Sequence, residues 1–176
     1  MRTAAAVLAL ATLVALAPPA VAAPPLALSL RAGYYRGSGL GTPEGGGRLE
    51  GLALGVDATL PQPIPLTPRL GVSASVALGG ATRSGGDTDG NLYRLLAFAE
   101  QPLGPSGLYA GFGIGIGHAE PRAGGFRATT AVVTRYSVGM PLGPLGALAG
   151  ARAELGYHSG PDGRLTGWEI DIRFRL

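Results

Sequence analysis

The sequence predicts an all-β fold, an eight-stranded antiparallel up-and-down transmembrane β-barrel. Three observations predict it. The 176-residue chain is 46% hydrophobic, yet it carries 31 Gly and 15 Pro. Eight segments alternate apolar and polar residues with period two. The connectors between them alternate between Pro-rich and Gly-rich polar runs. Soluble helical proteins are not so rich in Gly and Pro, and disordered chains are not so apolar. Charged residues make up only 14% of the chain, low for a soluble domain.

Residues 1–23 read as a cleaved signal peptide, and 24–176 as the barrel. Met1-Arg2 gives a positive start, residues 3–17 are apolar, and Pro18-Pro19 break a helix. Ala20-Val21-Ala22 then supplies a small-x-small cleavage site. The apolar run falls short of the roughly 20 residues that span a bilayer as a helix. No later stretch is long and apolar enough either, so a closed barrel is the remaining way to cross.

The last segment alternates without exception. Trp168, Ile170, Ile172, Phe174 and Leu176 take one face, and Glu169, Asp171, Arg173 and Arg175 the other. A helix would scatter those charges around its circumference. Segments 26–36, 48–60, 69–82, 107–118, 128–140 and 145–158 repeat the pattern, with Gly, Ser, Arg, Asp and Glu opposite the apolar face. Segment 92–100 is the weakest, because Arg94 and Glu100 share a face with Leu96 and Phe98. Glycines weaken a soluble sheet without packing anything. In a narrow barrel they leave room for long side chains to cross the lumen.

Three connectors are Pro-rich: 61–68, 101–107 and 141–146. Four are Gly-rich and polar: 37–47, 83–91, 118–127 and 159–167. An eight-stranded barrel with both termini on the periplasmic side needs three inner turns and four outer loops. Tyr34, Tyr93, Tyr157 and Trp168 fall at the outer strand ends, and Phe98, Tyr109, Tyr136 and Phe174 at the inner ends. Such pairs of girdles suit the two membrane interfaces, although alternation places Phe98 and Tyr109 on the inward face.

The mature chain then resembles a family. Its eight strands, its Trp168-to-Leu176 terminal strand and its YAGFGIGIG run at 109–117 are similar to the small outer-membrane barrels of the OmpA/OmpX type. The family usually ends in an aromatic residue, where this chain has Leu176. The resemblance implies a bacterial outer-membrane location, contact with outer-membrane lipid, and recognition of the C-terminal strand by the barrel-assembly machinery. An extracellular partner would meet the outer loops.

Several chemistries are unfavoured. With no cysteine there is no disulfide and no thiolate site. All 14 basic residues are Arg, and they form no patch with interleaved aromatics, so nucleic acid is not expected as a partner. The G-x-G repeat of 111–117 precedes no helix pattern and does not suggest a phosphate loop. Asp87-Thr88-Asp89-Gly90-Asn91 begins like a calcium loop but lacks the downstream Glu; Asp-Gly also suits a tight turn. His118 and Glu120 are only two potential ligands. His158-Ser159 with Glu169 invites comparison with the outer-membrane lipid A deacylase. That family spaces His and Ser two apart; here they are adjacent and face opposite sides of a strand. No catalytic residue, cofactor or metal is therefore assigned.

The inward charges are the most informative set: Arg31, Asp57, Arg135, Arg152, Glu154, Glu169, Asp171, Arg173 and Arg175. Their near balance suggests an internal ion-pair network that fills the lumen. The expected function is then a non-catalytic barrel of structural or loop-mediated interaction role. The alternatives are a narrow channel or small-ligand carrier with a cavity on the Gly-lined third and fifth strands, and a lipid-modifying hydrolase. N-terminal sequencing of membrane-extracted protein should find the mature chain starting at, or within two residues of, Ala23; an intact Met1 would contradict the signal peptide.

Overall fold

The computed structural model describes residues 26–40, 47–61, 64, 67–83, 86–121, 128–144, 146 and 150–176. The expected signal peptide lies outside the described residues. Eight strands form a closed barrel: β1 (Ala27–Leu40), β2 (Gly47–Thr59), β3 (Arg69–Arg83), β4 (Gly86–Pro102), β5 (Tyr109–Pro121), β6 (Thr129–Pro141), β7 (Arg152–Ser159) and β8 (Thr166–Arg175). Each strand pairs antiparallel with the next. β8 returns to β1 from Ser29↔Arg175 to Ser38↔Thr166, which leaves no open edge. Leu26 and Leu176 lie at the same end, called here the terminal end; the opposite end is the loop end.

The alternation follows from the two environments that the sheet separates. Leu52, Leu54 and Val56 on β2, Ile114 and Ile116 on β5, and Ile170 and Ile172 on β8 all point out and are exposed, Ile170 by 63%. A continuous apolar belt of this size is unfavourable in water and favourable in hydrocarbon. Outward charges on the strands include Arg36, Arg48, Glu50 and Glu120, all toward the loop end. Arg36 and Arg48 both reach Glu50, at 3.4 and 3.3 Å.

Inside, the lumen is layered. Its loop end holds an apolar cluster of Tyr35, Leu49, Ala53, Ala77, Leu92, Ala119, Val133 and Leu165. Leu165 precedes β8 with φ 53°, an unusual value for leucine that turns it inward as a cap. Middle and terminal levels are polar. This layering explains the irregular segment 92–100. Leu92, Arg94, Leu96, Phe98 and Glu100 follow one parity through successive layers, while Leu95 and Ala97 are exposed outside.

Three sequence expectations need correction. Residues 83–91 are mostly strand rather than a loop, since β3 and β4 stay paired as far as Arg83↔Gly86. The seventh strand begins at Arg152 rather than at 145, because Gly150 takes φ 60° and breaks the extended run. The aromatic girdles also differ. Tyr109 is buried in the lumen and Phe98 faces inward to meet Arg173, as their alternation had indicated. Outside, Phe112, Tyr136, Tyr157 and Trp168 are successive cross-strand neighbours, with ring centroids 5.4 Å apart for the first pair and 4.6 Å for the last. One aromatic row thus crosses four strands where two separate girdles were expected.

Ile114→Arg, at mid-strand on the outer face, should cost about 2–4 kcal/mol, as arginine does at the midplane of a membrane barrel. Ile114→Leu should be nearly neutral. Denaturant unfolding in lipid vesicles would measure both, and equal stability of the two variants would contradict the lipid-facing assignment.

Candidate functional site

The middle layer contains four buried guanidinium groups, of Arg31, Arg94, Arg135 and Arg173, and five buried carboxylates, of Asp57, Glu100, Glu154, Glu169 and Asp171. Six of these alternate in sign around a closed circuit. Arg31 Nε lies 3.1 Å from Asp57, and Asp57 lies 3.1 Å from Arg173 Nε. Arg173 reaches Glu154 at 2.9 Å, and Glu154 pairs with Arg135. Arg135 meets Asp171 at 3.3 Å, which returns to Arg31 at 3.3 Å.

Side branches complete the set. Arg31 also contacts Glu169 at 3.1 Å and donates to Ser73 Oγ at 2.6 Å. Arg173 pairs with Glu100, and the Tyr109 hydroxyl donates to Glu154. Arg94 pairs with Glu169 and stacks over the Tyr35 ring, 4.9 Å from its centroid. Every strand contributes at least one of these side chains. Glycine makes the crossing possible: a Cβ on Gly156 would stand 3.1 Å from the Arg135 guanidinium, and one on Gly139 would stand 2.2 Å from the Tyr109 ring.

Of the nine charged residues expected to meet in the lumen, Arg31, Asp57, Arg135, Glu154, Glu169, Asp171 and Arg173 lie in this layer. Arg152 and Arg175 do not. Arg152 is half-buried over the Tyr109 ring, 5.4 Å from its centroid, and Arg175 is exposed at the terminal mouth. The reason is the late start of β7 and the position of Arg175 at the end of β8, which leave both below the layer. Arg94, Glu100 and Tyr109 join it, though sequence reasoning did not assign them there. The signal was their shared parity with Leu96 and Phe98 for the first two, and the odd inward parity of the 109–117 run for the third.

His158 is fully buried between Arg94 and Glu169. Arg94 NH1 lies 2.6 Å from His158 Nε2, and arginine can only donate. The Nε2 lone pair is therefore occupied, and the ring proton belongs on Nδ1. Glu169, 3.1 Å from the same nitrogen, cannot then receive a proton from it. A histidine held this way has no free lone pair to activate a nucleophile. Ser159 lies on the other strand face, its carbonyl accepting from Thr134 Oγ1.

The remaining candidates are also placed. Asp87 to Asn91 belong to β4 rather than to a loop, and Asn91 donates to the Tyr93 hydroxyl at 3.0 Å. His118 contacts Thr130 Oγ1 at 2.7 Å, and Glu120 is exposed. Among the described residues no group of three or more His, Asp or Glu could hold a metal ion. Beside Gly111 and Gly113 of β5, where a ligand cavity was one expectation, the space is about 10 Å³, because Phe98, Leu96 and Arg135 fill it. That is room for about one water. A larger cavity of about 780 Å³ opens instead at the terminal end, below Arg173 and Glu100.

This eight-stranded closure recurs among solved structures. Neisserial surface protein A matches over 86% of this chain and 96% of its own, at 16% identity and TM-score 0.55. Ail, the attachment invasion locus protein of Yersinia pestis, matches over 86% and 99%, at 16% identity and TM-score 0.53. The fold is that of the small eight-stranded outer-membrane barrels. No family model matches the chain, and no curated protein matches it.

Glu169→Gln should destabilise this barrel by about 3–5 kcal/mol, the usual cost of breaking a buried pair, because Arg31 and Arg94 both lose a charged partner. Glu50→Gln, in the exposed pairs at the loop end, should cost about 0–1 kcal/mol. Paired unfolding curves would test the contrast; similar losses at the two sites would contradict it.

Proposed function

We propose that this protein is an integral outer-membrane barrel whose role is structural or is exercised through its loop end, without catalysis. The terminal end would face the periplasm and the loop end the cell exterior. The apolar belt supports contact with outer-membrane lipid, and the alternating β8 face, from Trp168 to Leu176, supports recognition of that strand by the barrel-assembly machinery. Ail, one of the similar structures, is named for attachment and invasion, and was also solved with the heparin analogue sucrose octasulfate. That is in keeping with a surface role for the fold, carried here by residues at the loop end.

The observation that carries this reading is the charged circuit across the lumen. Ions or solutes on the axis would have to displace Arg31, which is engaged with Asp57, Glu169, Asp171 and Ser73 at once. Above it, Leu49, Leu92, Val133 and Leu165 form a dry second seal. Eight strands leave space for side chains and little else. The hydrolase reading loses support because Arg94 occupies the His158 lone pair and Ser159 lies on the opposite face of the strand from His158.

Planar-bilayer recordings of refolded protein should show no steady unitary conductance. Arg31→Ala, which empties the centre of the circuit, should introduce one or unfold the barrel. Reproducible conductance in the unaltered protein would overturn the closed-lumen reading and favour a channel.

A further inference from the structure

At the loop end the barrel wall dips at the β7–β8 hairpin. The β6–β7 ladder ends at Thr134↔Ser159, yet β6 runs on to Thr129. On the far side β1 runs on to Leu40, beyond Ser38, which pairs with Thr166. The connection from Gly160 to Leu165 fills the notch between them. Among the described residues its hydrogen bonds are local. Arg164 N–H donates to the Pro161 carbonyl at 3.0 Å. Thr166 Oγ1 accepts from Gly160 N–H and donates to the Arg164 carbonyl, both at 3.4 Å. None of these bonds ties the connection to β6.

The same connection is strained. Among the described residues, positive φ outside glycine occurs only at Asp162, at 55°, and Leu165, at 53°. Aspartate tolerates that region, but a bulky leucine is an outlier there. Such outliers cluster at ligand clamps and switch regions, where the surrounding structure holds them. Here the strain sets Leu165 into the apolar cluster with Tyr35, Leu49, Leu92 and Val133. Gly117 makes the space: a Cβ on it would stand 3.0 Å from Leu165 Cδ1 and 2.7 Å from Val133. Hydrocarbon can replace Leu165 in these surroundings, whereas a polar ligand would lose its hydrogen bonds.

We propose that the Gly160–Leu165 connection is a lid over a site for a lipid acyl chain. The chain enters through the notch and takes the place of Leu165 in the apolar cluster. The notch borders lipid: Val132 of β6 is exposed on the outer face, and Trp168, a residue type favoured at membrane interfaces, is exposed just below the lid. With β7 and β8 ended, strand spacing leaves a gap of about 14 Å between β6 and β1. Gly160 and Gly163, the latter at φ 70°, are the hinge points. Tyr35 and His158, whose rings meet edge-on at 5.9 Å, floor the site above the charged layer. The proposal goes beyond the closed-lumen reading, because the axis stays shut while the lid is open. Conductance tests the axis, and chain insertion tests the lid.

The test uses refolded protein in phosphatidylcholine vesicles doped with a phosphatidylcholine that carries a diazirine at the end of one acyl chain. After irradiation, mass spectrometry identifies the labelled residues. Label is expected on Val133 and Leu92, which face inward, as well as on Val132 and Ile116, which face outward. Leu165→Ala, which shortens the plug, should raise the inward label about threefold or more, because the open state is then more populated. Leu155→Ala, on the outer face, should leave the inward label unchanged. Label on outward residues alone in the unaltered protein would overturn the site, and that measurement stands even if Leu165→Ala fails to fold. An inward label unmoved by Leu165→Ala, or raised equally by Leu155→Ala, would overturn it too.

Discussion

Nine ionisable side chains share a lumen too narrow for bulk water, and a charge can persist there only where its neighbours solvate it. That constraint organises the interior of this barrel. An arginine buried alone would be strongly unfavourable. Three arginines alternating with three carboxylates give each charge two opposite neighbours, and the side branches to Ser73, Glu169, Glu100 and Tyr109 use further lone pairs and protons. Because the members come from different strands, the circuit also fixes which strands must be close.

The rest of the interior adapts to that layer. Glycines at 139 and 156 are where Tyr109 and Arg135 press against the wall, so the smallest residues stand beside the largest. Toward the loop end the charges give way to Leu49, Leu92, Val133 and Leu165, which need no partners and exclude water from the pairs beneath. Screening inside such a layer is weak, which favours each pair but makes each missing partner more damaging. Toward the terminal end the balance is lost, and arginines outnumber acids around open space.

Likeness to surface protein A and Ail at 16% identity reflects this physics rather than shared side chains. An eight-stranded closure sets the diameter, the diameter requires a filled interior, and a membrane requires an apolar exterior. Many sequences satisfy those demands. What distinguishes one such barrel from another lies in the lumen chemistry and at the two ends, which is where the residues of this chain carry its individual character.

By itself the sequence determined the strand count, the antiparallel order and which face of most strands points outward. Those follow from period-two alternation and connector composition, both local properties. Trp168 to Leu176 illustrates it: parity alone separates Ile170 from Asp171. The weak segment, residues 92–100, was ambiguous because its inward face crosses layers of opposite polarity, and parity carries no information about depth. Only the tertiary structure decided that Arg94 and Glu100 join the charged layer while Arg152 and Arg175 stay at the mouth. Height along the axis depends on where each strand starts and on its register with its neighbours, and Gly150 shifts the start of β7 by a turn that no alternation pattern reveals. Pairing in the lumen is likewise a contact between residues as much as 140 positions apart, as with Arg31 and Asp171, and closure of the barrel is what brings them together.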